Sequence, residues 1–559
     1  MALVAYFSME IGVLAEMPTY AGGLGVLAGD TLRSAADIGV PIIGVTLLHR
    51  KGYFHQRLDA NGRQIESPEP WNVQQFLVEQ PQRATVTIEG RPVHLRCWQY
   101  VVKGTEGDVP IYFLDTDLPE NAVGDRTFTD VLYGGDERYR LCQEILLGIG
   151  GVRMLRALGY HQIDHFHMNE GHSSLLVMEL LLEQTRAAGR ATVTAEDVAA
   201  VRQRCIFTTH TPVPAGHDQF SVEEAVRILG ESPMVALQHL CCHEGMLNLT
   251  YLALNFSHYV NGVAMRHGEV SRAMFGGYTI DAITNGVHAA TWTADEFHAL
   301  FDRHITSWRR DNFSLRYALS IPGEEIWQAH TGAKRRLIDR IATDTGSHFD
   351  ANVFTIGFAR RATEYKRADL LFHDVERLKR VATAAGALQI VYAGKAHPRD
   401  EAGKRMIERI FDAKHAIGSH IAIVYLPNHD MALGKLLTSG VDLWLNTPHP
   451  PLEASGTSGM KAALNGIPSL SVLDGWWVEG CIEGVTGWAI GGDGPVSPGD
   501  RTAPDASSMY DKLEHAILPL FHQHRDGYTD VMRHAIALNG SFFNSHRMVE
   551  EYALKAYAT

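Results

Sequence analysis

The sequence is poor in cysteine, with six residues in 559. Spread this thinly they do not form a disulfide framework, and we read a reducing, cytoplasmic setting. No stretch approaches the roughly 18–20 uninterrupted apolar residues that a membrane-spanning helix needs. The start of the chain has no basic flank and meets Glu10 before an apolar segment of leader length develops, so no secretory leader is expected. Basic residues are in deficit, 50 Lys and Arg against 64 Asp and Glu, for a net charge of −14. That balance argues against a nucleic-acid or anionic-membrane binder, and any strongly basic site must be concentrated. Internal repeats and low-complexity tracts are absent, the glycine-rich turn at Tyr20 to Asp30 lacks the G-x-G-x-x-G spacing of a dinucleotide fingerprint, and the block from Glu453 to Gly466 is not a Walker loop.

What is present is material for large cores. Apolar residues make up 45% and charged residues 20%, and the length suggests roughly three or four domain-sized units. Short β-rich apolar runs alternate with helical stretches. In the second half the runs begin at Phe354, Leu388, Ile421, Asp442 and Ser469, with helical patterns over Ala368 to Ala384 and Glu401 to Ala416. In the first half they lie at Leu3 to Phe7, Gly39 to Val45 and Cys205 to Thr209. Continuous apolar runs bounded by polar residues are how buried parallel strands read, and the alternation predicts an α/β fold of two doubly wound domains facing a cleft. A boundary is expected near Asn285 to Thr293, giving domains 1–288 and 289–559. A β-rich insertion over about 52–115 belongs to the first. The stretch Gly491 to Ala506 reads as a long surface loop.

Three segments could carry chemistry. Tyr20 to Asp30 is a glycine-rich turn after a strand, opening a helix; Gly22, Gly23 and Leu24 could present N–H groups to an anion, or simply make a tight turn. Ala359 to Ala368 packs Arg360, Arg361, Lys366 and Arg367 behind a predicted strand, either as an anion site or as a solvated helix start. Glu453 to Gly466 places small hydroxyl and glycine residues ahead of a short helix bearing Lys461. A desolvated lysine near other cations can form a Schiff base with an aldehyde cofactor, bind phosphate, or snorkel to solvent. His239 and His243 flank Cys241 and Cys242, but the apolar neighbours favour a helix over a metal site, and no metal is expected.

Together these segments resemble the α-glucan phosphorylases. The match runs through Ser8-Met-Glu-Ile, Ala21-Gly-Gly-Leu-Gly, Asn169-Glu-Gly-His, Thr209-His-Thr-Pro-Val-Pro, Thr284-Asn-Gly-Val, Tyr365-Lys-Arg and Glu453 to Lys461. The resemblance implies two Rossmann-like domains (the GT-B glycosyltransferase architecture), with the last helix returning to the first domain. It implies pyridoxal 5'-phosphate on Lys461, working through its phosphate. The activity implied is reversible phosphorolysis of glycogen or maltodextrin to α-D-glucose 1-phosphate with retention, and a homodimer is the default assembly.

Carried over residue by residue, the resemblance places Arg361, Lys366 and Arg360 on the substrate and cofactor phosphates. Thr457, Ser458 and Gly459 would bind the cofactor phosphate, and Trp292 would line its pocket. Gly22, Gly23 and Leu24 would face phosphate at the catalytic centre. His210 and Asn285 would bind the glucosyl 6-hydroxyl side, and Tyr365, Glu453, Ser455 and Gly456 the other hydroxyls. Glu170, His172, His217 and His429 receive no role. Departures from the long animal and plant enzymes, at Arg360, Thr363, Gly459 and His429-Asp430, mark a short bacterial-type branch. The chain opening at its first strand implies no phosphorylation segment of the animal type. The alternatives are a nucleotide-sugar-dependent glucan synthase, whose loop carries a Lys that Thr19 and Tyr20 do not supply, and an inactive glucan-binding protein.

Overall fold

The computed structural model of the chain describes residues 2–213, 217–230, 241–492 and 499–558. The chain is mixed α/β with parallel sheets. It divides into two compact units, one of residues 1–54, 68–283 and 548–559, the other of 55–67 and 284–547.

In the first unit, nine strands among the described residues form one sheet. Its middle is parallel: Cys205–Thr208, His165–Asn169, Val4–Ser8, Ile42–Leu47 and Asp108–Asp115 lie side by side. Arg91–Lys103 and Val78–Ile88 extend one edge antiparallel. The central strand Val4–Ser8 is buried throughout because helices cover both of its faces. A polar clasp holds the C-terminal segment against this sheet. His167 Nδ1 lies 2.7 Å from Tyr557 Oη, and Asn261 Nδ2 donates to Tyr552 Oη at 2.9 Å. Three neighbouring strands end together, and their carboxyl ends deliver Glu10, Glu170 and His210.

In the second unit, six parallel strands among the described residues run in the order Ala422–Leu426, Leu388–Ala393, Phe354–Ala359, Leu443–Asn446, Ser469–Val472 and Gly487–Ile490. Counted along the chain this is third, second, first, fourth, fifth, sixth. The order reverses between Phe354–Ala359 and Leu443–Asn446, and a crevice at the carboxyl ends of such a pair is where open α/β sheets bind ligands. Arg360 leaves one of those ends and Thr447 the other.

Three local expectations are corrected. Residues 55–67, read with the insertion of the first half, form a hairpin belonging to the second unit. Gln56 and Gln64 are buried there, donating to the carbonyls of Gly394 and Ala396. The helix expected around His243 is instead a two-stranded turn, Cys242–His243 against Met246–Asn248. Glu244 and Gly245 adopt φ of 50° and 77°, which a helix cannot contain. His239 lies outside the described residues. The loop expected to reach Ala506 ends earlier, since Thr502–Lys512 is a helix whose Asp505 and Ala506 are buried.

Candidate active site

In the second unit the site grows from Glu453. Its Oε2 accepts from Lys366 Nζ at 2.6 Å and Arg360 Nη1 at 2.7 Å, with all three side chains under 10% exposed. Burial alone would raise the Glu453 carboxyl, but the two cations outweigh it and hold it down at about 2. The backbone behind it is equally fixed. Asp474 Oδ2 accepts from Glu453 N at 2.8 Å and Oδ1 from Gly475 N at 3.0 Å. Burial, reinforced by the Glu453 charge, pushes Asp474 up to about 7. Gly475 has φ 54°, and a Cβ there would stand 2.3 Å from Ser455 O, so the close approach of the two turns requires glycine.

Lys461 sits on the helix Ser458–Leu464, its N–H bonded to Thr457 O at 3.2 Å. Its Nζ lies 3.5 Å from the centroid of the Trp292 ring. Asn465 Nδ2 donates both to Trp292 O, at 2.9 Å, and to Lys461 O, at 3.0 Å. Ser458 Oγ accepts from Trp444 Nε1, and Gly459 is packed where a Cβ would come within 2.8 Å of Trp476. His429 faces the same region. Burial and then the ammonium groups of Lys461 and Lys395 push its imidazole down to about 3, so it is neutral at physiological pH. Gln56 steadies the turn before it, exchanging bonds with Asn428 of 3.1 and 2.9 Å.

The basic run is split by the fold. Arg360 is turned in onto Glu453, whereas Arg361 is exposed. Lys366 is buried, its Nζ 4.5 Å from the Tyr365 ring centroid. Ser455 is buried, Gly456 has φ 88°, and Asn285 is buried with Arg547 donating to its carbonyl at 3.0 Å.

In the first unit, Gly22 precedes the helix Gly23–Ile38. Glu10 Oε2 accepts from Ala21 N at 2.6 Å and Gly22 N at 3.3 Å, while Tyr133 Oη donates to Oε1 at 2.8 Å. Leu24 is half-buried and Gly23 exposed. Glu170, at φ 75°, is buried and accepts from His210 N at 2.7 Å and Thr211 Oγ1 at 2.9 Å. Burial opposes its ionisation, but His210, His172 and His217 bring it below the usual carboxylate value. His210 Nε2 lies 2.6 Å from Asn169 Oδ1, and burial, against the pull of Glu170, lowers the imidazole to about 4. His172 Nε2 meets Asp218 Oδ2 at 3.2 Å, and His217 Nδ1 meets Thr250 Oγ1 at 2.9 Å.

Sequence reasoning missed Asp474, Lys395, Thr447 and Arg367 as supports of this site. Arg367 alone carried a signal, as the last cation of the basic run.

Comparison with known proteins matches the family model "Carbohydrate phosphorylase" over residues 16–99 and 218–485. The chain is 39% identical to the maltodextrin phosphorylase of Thermococcus litoralis, over 99% of this chain and 70% of that protein. It is 37% identical to the glycogen phosphorylase of Mycobacterium tuberculosis, with the same coverage, and 35% identical to that of Aquifex aeolicus, over 99% of this chain and 86% of that protein. With relatives 35–39% identical along 99% of its length and the family model matched over both halves, the chain belongs to the carbohydrate phosphorylase family.

Proposed function

We propose that the chain is an α-1,4-glucan phosphorylase that cleaves glycogen or maltodextrin with inorganic phosphate, reversibly, to α-D-glucose 1-phosphate. The observation that carries this reading is the Lys461 amine held over the Trp292 ring. Two Rossmann-like domains of the GT-B type, corresponding to the unit of residues 1–54, 68–283 and 548–559 and the unit of 55–67 and 284–547, are part of the proposal; the strand order of the second sheet supports this. A homodimer in the cytoplasm, with no nucleic-acid or membrane partner, is part of the proposal; no helix among the described residues is long and apolar enough to cross a membrane.

The residues present fit pyridoxal phosphate. A primary amine, a flat aromatic face and several cations are the donor set that a planar, anionic aldehyde needs. Lys461 would hold it covalently, Trp292 would line its ring, and Thr457, Ser458, Gly459 and Arg360 would take its phosphate. When bound, the cofactor supplies a phosphate group able to give and take a proton.

In phosphorolysis the bond from glucosyl C1 to the glucan 4-oxygen breaks, and that oxygen takes a proton from the bound inorganic phosphate. A phosphate oxygen then joins C1 on the same face, which retains the α-configuration. This chain's work is to hold the phosphate dianion against the positive charge developing on the sugar. Lys366 and Arg361 would bind that phosphate, together with the N–H groups of Gly22, Gly23 and Leu24. His210 and Asn285 would orient the glucosyl unit by its 6-hydroxyl, and Tyr365, Glu453, Ser455 and Gly456 by its other hydroxyls. A synthase would have no use for the amine at position 461.

Borohydride reduction of the purified protein followed by peptide mapping tests this directly. A pyridoxyl group on Lys461 supports the reading. Its absence, after incubation with pyridoxal phosphate, would favour the synthase or the inactive binding protein.

A further inference from the structure

Arg367 follows Lys366 in the chain and has a left-handed backbone, φ 45° and ψ 50°, which a bulky residue adopts only when its surroundings impose it. Its side chain is 9% exposed and fully engaged along one side. Nε donates to Thr447 O at 2.9 Å, and Nη2 donates to Pro448 O at 2.9 Å and to Asp505 Oδ2 at 2.7 Å. Asp505 is wholly buried, and its other oxygen faces Arg501 at 3.3 Å. The segment answers in the opposite direction. Thr447 Oγ1 stands 3.0 Å from Lys366 O and 2.9 Å from Arg367 O, its single proton shared between them, and His449 N donates to Tyr365 O at 2.7 Å.

These bonds lace the turn Glu364–Lys366 to residues 447–449, just ahead of Glu453. The two laced segments are the ones whose side chains meet as Lys366 Nζ and Glu453 Oε2, at 2.6 Å. A lysine ammonium stands on a flexible four-carbon stem, so its place is decided by where its backbone and its counter-charge are fixed. The side-chain hydrogen bonds of Arg367 among the described residues go to Thr447, Pro448 and Asp505, none of which is assigned to substrate. Its guanidinium is a planar fork that holds two carbonyls and a carboxylate at fixed, separated positions, a geometry that the single nitrogen of a lysine does not reproduce.

We propose that Arg367 is a positioning residue: anchored on Asp505, it locks the Thr447–His449 segment to the Glu364–Lys366 turn and thereby sets the place of the Lys366 ammonium that receives inorganic phosphate. The proposal rests on the phosphorylase reading of the site. It makes the helix Thr502–Lys512, which carries none of the residues assigned to substrate, part of the support for phosphate binding. A displacement of about 1 Å at a charged group that grips the reacting phosphate is enough to lower its efficiency by about a hundredfold.

The test uses the full-length holoenzyme and four forms: wild type, Arg367→Lys, Thr447→Val and Thr447→Ser. Arg367→Lys and Thr447→Val are expected to raise KM for inorganic phosphate about tenfold or more, with glucan affinity measured without phosphate changing less than about twofold. Thr447→Ser restores the hydroxyl and is expected to return the phosphate KM to within about twofold of wild type. If Arg367→Lys fails to fold, the Thr447 pair decides, because valine and threonine have nearly the same shape. Unmoved phosphate KM in Thr447→Val, equal losses in phosphate and glucan affinity, or a Thr447→Ser form as impaired as Thr447→Val overturns the proposal. A wild-type chain that releases no glucose 1-phosphate overturns the phosphorylase reading and the proposal with it. An active wild type with unmoved variants overturns the positioning role alone.

Discussion

Lys461 and Trp292 are registered to each other by a single side chain. The Lys461 Nζ stands 3.5 Å from the Trp292 ring centroid, and Asn465 bridges the two backbones through bonds to both carbonyls. Asn465 is wholly buried and also accepts from Ala294 N at 2.7 Å, so the short helix Ala289–Trp292 and the helix Ser458–Leu464 are tied together through one amide. An amine over an aromatic face is an attractive arrangement in its charged form, worth about 1–2 kcal/mol when desolvated. It is also a pre-organised place for a planar ring to be held.

From this follows the first expectation. Lys461→Ala should leave a folded chain, because alanine suits a helix at least as well as lysine. It should retain no pyridoxal phosphate after gel filtration, and its phosphorolysis should fall at least about a thousandfold. Circular dichroism with a bound-cofactor assay checks both parts. Full activity in this variant would remove Lys461 from the account.

Glu453 is the shared counter-charge of two buried cations. Glu453→Gln leaves Arg360 and Lys366 facing each other without it and should destabilise the chain by about 3 kcal/mol. The pH dependence has a definite sign. The folded carboxyl lies at about 2, below its ordinary value of 4.5, so its stabilisation is fully present above about pH 4.5 and is lost as the pH falls toward 2. Urea unfolding of wild type and variant at several acidic pH values should show the gap between them closing as the pH drops.

Asp474 behaves oppositely. Its folded value of about 7 lies above the ordinary 3.8, so the folded chain binds the extra proton between those limits and stability falls as pH rises through them. Asp474→Asn removes that slope. The stability of the variant relative to wild type should rise by about 2–4 kcal/mol between pH 4 and pH 7, whatever the constant offset from the altered hydrogen bonds. A difference that stays flat across this range would contradict the burial of a titrating carboxyl behind Glu453.

Lys366→Ala should weaken the use of inorganic phosphate far more than the binding of glucan, with kcat/KM for phosphate down at least about a hundredfold. Initial rates at varied phosphate and fixed maltodextrin, beside a glucan-binding isotherm, separate the two. An unchanged phosphate dependence would refute the role given to this lysine.

How much of this was legible in the sequence depends on the range of the interactions. The strands Phe354–Ala359 and Leu388–Ala393 are readable to the residue, because each is an unbroken, fully buried run. The block from Glu453 to Lys461 announces itself through chemistry packed into a short span. The turn at Glu244-Gly245 was read as helix because apolar spacing does not reveal a left-handed residue pair. The helix Thr502–Lys512 was hidden by its Gly, Pro and Asp-rich approach, although Asp500 accepts from Thr502 N at 2.9 Å to help start it. Which of Arg360 and Arg361 turns inward is invisible in a dipeptide. Asp474 and Asp505 act on residues 21 and 138 positions away, and no local pattern marks them.

The measurement that bears most directly on the whole account is phosphorus and proton NMR of a maltodextrin incubated with the protein and inorganic phosphate. The account predicts accumulation of α-D-glucose 1-phosphate, one for each glucosyl unit lost, and no product when phosphate is withheld. Release of free glucose or maltose without phosphate, formation of the β-anomer, or turnover only with a nucleotide sugar would contradict it.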